Sequence, residues 1–310
     1  MIKIYSFVYS RPEFIDLQLA SFRKYLQDDF ELIAVYTGQP PLPVDYTHHA
    51  YVPEGKSPYD ADHRAAWGRD DDSWARMSEQ CQRSGVKLIA ADYDAEVEEH
   101  CRKIQLKNVN APHLARFDAN HRFLGNYGFI PAVCSYTTEW TWRKLICGKE
   151  TGPVWLTHGD GFLQQPIKFT DYLQRYPICS VVFPVEQNGK RVEPFFNTCF
   201  LADMAQLPDP FSLHWWGFYP DEVNTGDYGE TWLYRKAHPE VKTLALGWGG
   251  VEEDGTDGFR TVAGAPPLAE LASFEDNVAF LHYRGACNWY HESEEYHAKK
   301  TAWLRNRIGI

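Results

Sequence analysis

Apolar positions fall into two periods over the first 92 residues. Ile2 to Tyr9 (IKIYSFVY) is an apolar, β-rich run that reads as a buried strand, and Pro12 ends it. In FIDLQLASFRKYL, Phe14, Leu17, Leu19, Phe22, Tyr25 and Leu26 recur at roughly helical spacing. FELIAVYTG reads as a second strand, closed by Gly38 and a Pro-rich turn, and VKLIAAD (86–92) as a third. Between them, 40–85 is less regular. It carries QPPLP, the charged run RDDD (69–72) and a helix-like SWARMSEQCQRSG. The order β-α-β, insertion, β favours parallel strands with covering helices.

The pattern continues to the C-terminus. Residues 113–147 form a long helical stretch with a basic last turn before Gly148, as helix ends prefer. GPVWLTHGDGFLQQP reads as strand, turn and second element. CSVVFPVEQNGKRVEPFFNTCFL reads as a hairpin turning at Asn188-Gly189. DEVNTGDYGETWLYRKAHPE starts as a loop and becomes a helix. VKTLALGW is a further strand, and the last segment is a short strand, a loop and a terminal helix. No repeat and no low-complexity segment interrupts this.

Composition narrows the class. The chain has 310 residues, 44% hydrophobic and 24% charged, which excludes disorder of the whole chain. Its apolar runs are far shorter than the roughly 20 residues of a membrane helix, so no transmembrane segment is expected. The first residues read as a strand, not a signal peptide. A net charge of −11 argues against a broad nucleic-acid footprint, though it leaves room for a phosphate-bearing small ligand. The seven cysteines show no CxxC pair or zinc-ribbon spacing, and no Asn-x-Ser/Thr sequon occurs. Scattered buried thiols in a cytoplasmic protein are the expectation.

Several chemistries are excluded by their absent motifs: GxxxxGK[ST], GxGxxG and G-x-S-x-G do not occur. The two His of HESEEYH (291–297) are six apart, where ligation from one helix face needs four. The informative segment is Val154-Trp155-Leu156-Thr157-His158-Gly159-Asp160-Gly161, a strand running into a Gly-flanked turn. Ligands of open α/β sheets sit outside the carboxyl ends of strands. In an extended stretch residues i and i+2 share a side, so His158 and Asp160 face one site. Such a pair suits a divalent ion such as Mn²⁺ or Mg²⁺. A turn-capping Asp160 with a packed or solvated His158 is the structural alternative. Later in the chain comes His282-Tyr283-Arg284-Gly285-Ala286-Cys287-Asn288-Trp289, with a strand-end His, a Gly permitting close approach and a guanidinium for phosphate oxygens.

Taken together, these pieces resemble the GT-A class of nucleotide-sugar-dependent glycosyltransferases, and His282-x-x-Gly285-x-x-Asn288-Trp289 is similar to the H-x-x-G-x-x-K-P-W motif of its glycogenin-like family. His158 stands where that class has the first Asp of a DxD element, and Asn288 where the family has Lys. The resemblance implies an α/β, GT-A-like fold. It would have a mostly parallel central sheet with flanking helices and a smaller acceptor-side hairpin. One domain would span 1–310, with 1–150 the nucleotide-binding half and 151–310 the metal and acceptor half. It implies His158, Asp160 and His282 as ligands of Mn²⁺ or Mg²⁺. It also implies a nucleoside diphosphate sugar as donor, held by Tyr9, Ser10, Arg11, Asp92, Asp94, Arg284, Gly285 and Asn288. Arg11 could equally pair with Glu13, and Asp92 and Asp94 could cap a helix.

For a saccharide acceptor, the richest segment is His214-Trp215-Trp216-Gly217-Phe218-Tyr219-Pro220-Asp221-Glu222. Aromatic rings pack on sugar C–H faces and carboxylates accept from hydroxyls, so Trp215, Trp216 and Tyr219 form the expected platform. A core-plugging role is the alternative. Asp221, Glu222 and Asp227 are the candidates for contacting or deprotonating the acceptor hydroxyl. Two other classes remain open at this level: an inactive sugar- or nucleotide-binding protein, and a metal-dependent hydrolase.

Overall fold

The computed structural model describes residues 1–8, 11–36, 73–91, 94, 96–97, 135, 137–187, 190–215, 229–251, 269–283 and 294–310. The expected opening is present: β1 (Ile2–Val8), α1 (Glu13–Tyr25), β2 (Phe30–Tyr36), α2 (Ser73–Ser84) and β3 (Lys87–Ala90). A helical stretch over 137–141 widens into a π turn at Trp142–Ile146. Gly148 then takes the left-handed φ of 72° that lets the chain reverse.

The second half supplies β4 (Pro153–His158), β5 (Gly161–Leu163), α3 (Phe169–Leu173), β6 (Ile178–Val182), β7 (Val185–Gln187), β8 (Lys190–Val192) and β9 (Phe195–Asp203). It ends with α4 (Thr231–Ala237), β10 (Thr243–Val251), β11 (Ala269–Phe274), β12 (Asn277–His282) and α5 (Glu294–Ile308). The hairpin reading is met by β7 and β8, which pair antiparallel from Val185↔Val192 to Gln187↔Lys190. The turn residues Asn188 and Gly189 lie outside the described residues. None of the described helices is long and apolar enough to cross a membrane.

Ten strands form one sheet in the order β3-β2-β1-β4-β9-β6-β10-β11-β12-β5. The α/β class is as expected, but the sheet is mixed rather than mostly parallel. Ladders β3–β2, β2–β1, β1–β4 and β6–β10 are parallel. Ladders β4–β9, β9–β6, β10–β11, β11–β12 and β12–β5 are antiparallel. For β11 and β12 the reason is local: two residues, Glu275 and Asp276, join them. A connection of that length returns the chain antiparallel, whereas a parallel return needs a crossover of a dozen or more residues.

Alternation along the central strands builds a core on each face. Ile2, Ile4, Leu32, Ala34, Trp155, Cys179 and Leu201 face the side covered by α1, α2 and α3. Tyr5, Ile33, Val35, Val154, Leu156, Ile178 and Phe200 face the Trp142–Ile146 turn and α4. Burial on both faces explains why these strands read as continuous apolar runs. A third cluster joins α1 and α5 to β5, β11 and β12 through Phe14, Leu17, Phe162, Leu281, Tyr283, Leu304 and Ile308.

Trp155 is the hub of the first face. Its ring centroid lies 4.9 Å from those of Phe22 and Phe169 and 6.0 Å from that of Phe280. Trp155→Ala is expected to cost about 3–5 kcal/mol in urea melts, with the slope unchanged.

Candidate metal-binding site

The site begins at the end of β4. Along this part of the sheet the order β3-β2-β1-β4 reverses direction between β1 and β4, which are adjacent and parallel. The crevice outside the carboxyl ends of two such strands is where open α/β sheets take their ligands. His158 is the last residue of β4, in register with Phe7 of β1.

Two residues, Gly159 and Asp160, then carry the chain from the middle of the sheet to β5 at its far edge. The sheet must curl for this to happen, and several contacts hold the turn. The Gly159 N–H donates to Phe7 O at 2.7 Å, and the Tyr283 N–H donates to Asp160 O at 2.8 Å. The Gln18 side-chain amide, fully buried in α1, donates to His158 O at 2.9 Å and to Gly161 O at 2.8 Å. Its own Oε1 accepts from Ser6 Oγ at 2.7 Å. Gly161 is required by space: a Cβ there would run into Thr157 Oγ1 and lie 2.8 Å from Phe280 Cζ.

This curling brings three chemically active side chains together. Donor atoms of His158, Asp160 and His282 all lie within 4.8 Å of one another. His282 Nε2 is 3.3 Å from Asp160 Oδ1, while its Nδ1 is 2.9 Å from Glu270 Oε2. His158 Nδ1 is 3.3 Å from Thr198 Oγ1, and its Nε2 is shut off from solvent with no hydrogen-bond partner. Phe7 and Phe196 meet the His158 ring edge-on, and Trp248 lies against His282.

The two imidazoles are held in opposite states. Burial pushes His158 down to about 4, outweighing the attraction of Asp160, so it is neutral near pH 7. Burial also opposes charge on His282, but Asp160 and Glu270 on either side push it up to about 9. Burial raises Asp160 too, yet His282 overcomes this and leaves its carboxyl below the ordinary range.

The donor set fits a divalent ion. A buried, unpartnered imidazole nitrogen is costly unless something binds it. One nitrogen of this ring lies within 4.8 Å of a carboxylate oxygen and of a second imidazole. Each histidine has its other nitrogen occupied, by Thr198 or Glu270, as ligating histidines usually do.

The other expected residues are placed differently. Asp94 caps a helix start, accepting from the Glu96 and Val97 N–H groups at 2.9 and 3.1 Å, and pairs with Lys144 at 2.9 Å. These contacts are those of the capping alternative. Arg11 lies 3.6 Å from Glu13 Oε1, as its own alternative anticipated. Trp215 is fully buried, its ring 4.9 Å from Phe200 and 6.2 Å from Trp142, and its backbone N–H donates to the Glu139 carboxylate. It anchors the core and has no face open to a sugar. Tyr9, Ser10, Asp92, Trp216, Tyr219, Asp221, Glu222, Asp227, Arg284, Gly285 and Asn288 lie outside the described residues.

The sequence reading missed Gln18, Thr198 and Glu270. Gln18 did carry a signal, as a polar residue between Leu17 and Leu19 in the apolar stretch of α1 that faces the core. No known protein-family model matches the chain, and no curated protein matches it.

Two outcomes follow from this geometry. The stability that His282 contributes is complete below its unfolded value of about 6.5 and is lost as pH rises through about 9. His158 and His297, both held near 4 when folded, act in reverse. The unfolded chain takes up protons that the folded chain refuses, so stability falls as pH drops from about 6.5 toward 4. Asp160, with its lowered carboxyl, adds a further loss at still lower pH. Ion-free protein is therefore expected to be most stable near pH 6.5 in denaturant melts run with a chelator. His282→Gln should flatten the alkaline limb, and a wild-type stability that climbs from about pH 6.5 to 9 would contradict the ion pairs. Separately, Gly161→Ala is expected to lose about 1–3 kcal/mol by overpacking against Thr157 and Phe280.

Proposed function

We propose that this chain is a glycosyltransferase. It would take a sugar from a nucleoside diphosphate sugar, with a divalent ion bound by His158, Asp160 and His282, and pass it to a hydroxyl of a saccharide or similar acceptor. The observation that carries this reading is the convergence of those three side chains at the carboxyl end of β4, beside β1, where open α/β sheets take their ligands. The sequence resemblance had joined an HxD element after a mid-chain strand to a late His motif. In the fold those two elements, 122 residues apart from Asp160 to His282, meet at one point.

The chemistry asked of the residues is modest. When bound, the ion supplies positive charge for the diphosphate that leaves as the glycosidic bond breaks. His158 and His282 offer nitrogen and Asp160 offers a carboxylate, a set in which two imidazoles favour Mn²⁺ over Mg²⁺. Gln18 keeps the turn from shifting, so the donors need little rearrangement. In this reading Arg284 and the Gly285 backbone serve the phosphates, and one of Asp221, Glu222 and Asp227 takes the acceptor proton.

The same imidazole-rich set also suits activation of water, so a metal-dependent hydrolase is the second reading. A panel of UDP-, GDP-, CMP- and dTDP-sugars, each with and without Mn²⁺, separates them by thermal shift. One nucleotide class is expected to stabilise the protein in the presence of Mn²⁺, by about 2.7 kcal/mol at a hundred-fold excess over Kd. Asp160→Ala should remove the Mn²⁺-dependent part. No stabilisation by any of them would sink the transferase reading. Ester or phosphoester turnover without a nucleotide sugar would support the hydrolase.

A further inference from the structure

Glu270 lies in β11 directly across the antiparallel ladder from His282 in β12. Side chains at facing positions on one sheet face lie roughly 4.5–5.5 Å apart at Cβ. Here the Glu270 carboxylate reaches the imidazole side-on, with Oε2 2.9 Å from Nδ1 and both side chains buried. The ring's other nitrogen, Nε2, is directed at Asp160 Oδ1, 3.3 Å away. The face around this pair is built for packing: Ala272, Phe280 and Trp248 flank it in the first core. A carboxylate in such a setting is expensive unless it is paired, and removing its partner is strongly destabilising. Its position therefore calls for a role that an apolar residue could not fill.

We propose that Glu270 is a positioning residue for the His158–Asp160–His282 site. It accepts the Nδ1–H of His282 and thereby fixes the ring orientation and tautomer in which Nε2 serves a divalent cation. An imidazole that ligates through one nitrogen has its tautomer set by the hydrogen bond at the other. Thr198 stands in the same relation to His158 Nδ1. The inference rests on the metal-site reading above, and it adds a residue that touches neither ion nor substrate.

The test uses the full chain as wild type, Glu270→Gln and Glu270→Ala, each checked for folding by circular dichroism and melting without added metal. Mn²⁺ affinity is read from the electron paramagnetic resonance of the free ion. Loss of an outer carboxylate of this kind typically weakens metal binding by about 10–100-fold, and that is the result expected for Glu270→Ala. Glu270→Gln keeps an acceptor oxygen and should recover most of the affinity. The spin-echo modulation from imidazole nitrogen on bound Mn²⁺ should weaken in Glu270→Ala and persist in Glu270→Gln, a change that mere loss of packing would not produce. Equal Mn²⁺ affinity and equal modulation in wild type and Glu270→Ala overturn the positioning role. Failure of wild type to bind Mn²⁺ overturns the metal-site reading instead. Should Glu270→Ala not fold, Glu270→Asp, one methylene shorter, replaces it: weaker binding supports the proposal and unchanged binding overturns it.

Discussion

The constraint on which the structure depends is a distance along the chain. Only Gly159 and Asp160 separate β4, in the middle of the sheet, from β5, at its edge. From His158 to Gly161 is three Cα steps, at most about 11 Å, so the sheet has to bend until its edge returns to its middle. Antiparallel pairing of β5 with β12 then carries His282 to the same place, because His282 pairs with Gly161. The catalytic-looking cluster is thus not an ornament on a finished fold. It lies at the point where the sheet returns on itself, and the contacts that fasten the turn also fix the donors.

A buried amide does much of that fastening. Gln18 uses both N–H bonds and its oxygen inside the core, which leaves it no cheap substitute. The net worth of each such bond is only about 1 kcal/mol, but leaving a carbonyl unsatisfied costs more. The turn is therefore held less by what the bonds contribute than by what their loss would expose. The same asymmetry governs Glu270 and Asp160 on either side of His282.

Much of this was legible in the sequence, and the part that was not has a physical explanation. Strands β1, β2 and β4 announce themselves because burial on both faces leaves uninterrupted apolar runs. His158, Asp160 and His282 were legible because strand ends followed by glycine are recognisable, and strand ends are where ligands bind in such sheets. Strand direction was not legible, since an apolar run packs equally well either way along a neighbour. That is how a mostly parallel sheet was expected and a mixed one found. Glu270 was hidden for a related reason. AELASF pairs its acid with His282 only through a ladder register, and register belongs to the partner strand as much as to the residue. Trp215 shows the opposite error: a Trp-Trp-Gly segment reads equally as platform or anchor, and only burial decides between them.

The electrostatics of the site follow from its dryness. Phe7, Phe196 and Trp248 border the two histidines, and with little water present each imidazole must find its charge balance among its neighbours. His282 finds two carboxylates and holds its proton; His158 has Thr198 beside it and does not. Near neutral pH the ion-free cluster therefore holds two negative charges against one positive, with a neutral nitrogen beside them. In the metal-site reading, a divalent cation in place of the His282 proton that faces Asp160 would make the cluster electroneutral. In the proposed metal-site reading, the ring between Asp160 and Glu270 is a ligand held in place by its two carboxylate neighbours, and the ion pairs serve its orientation.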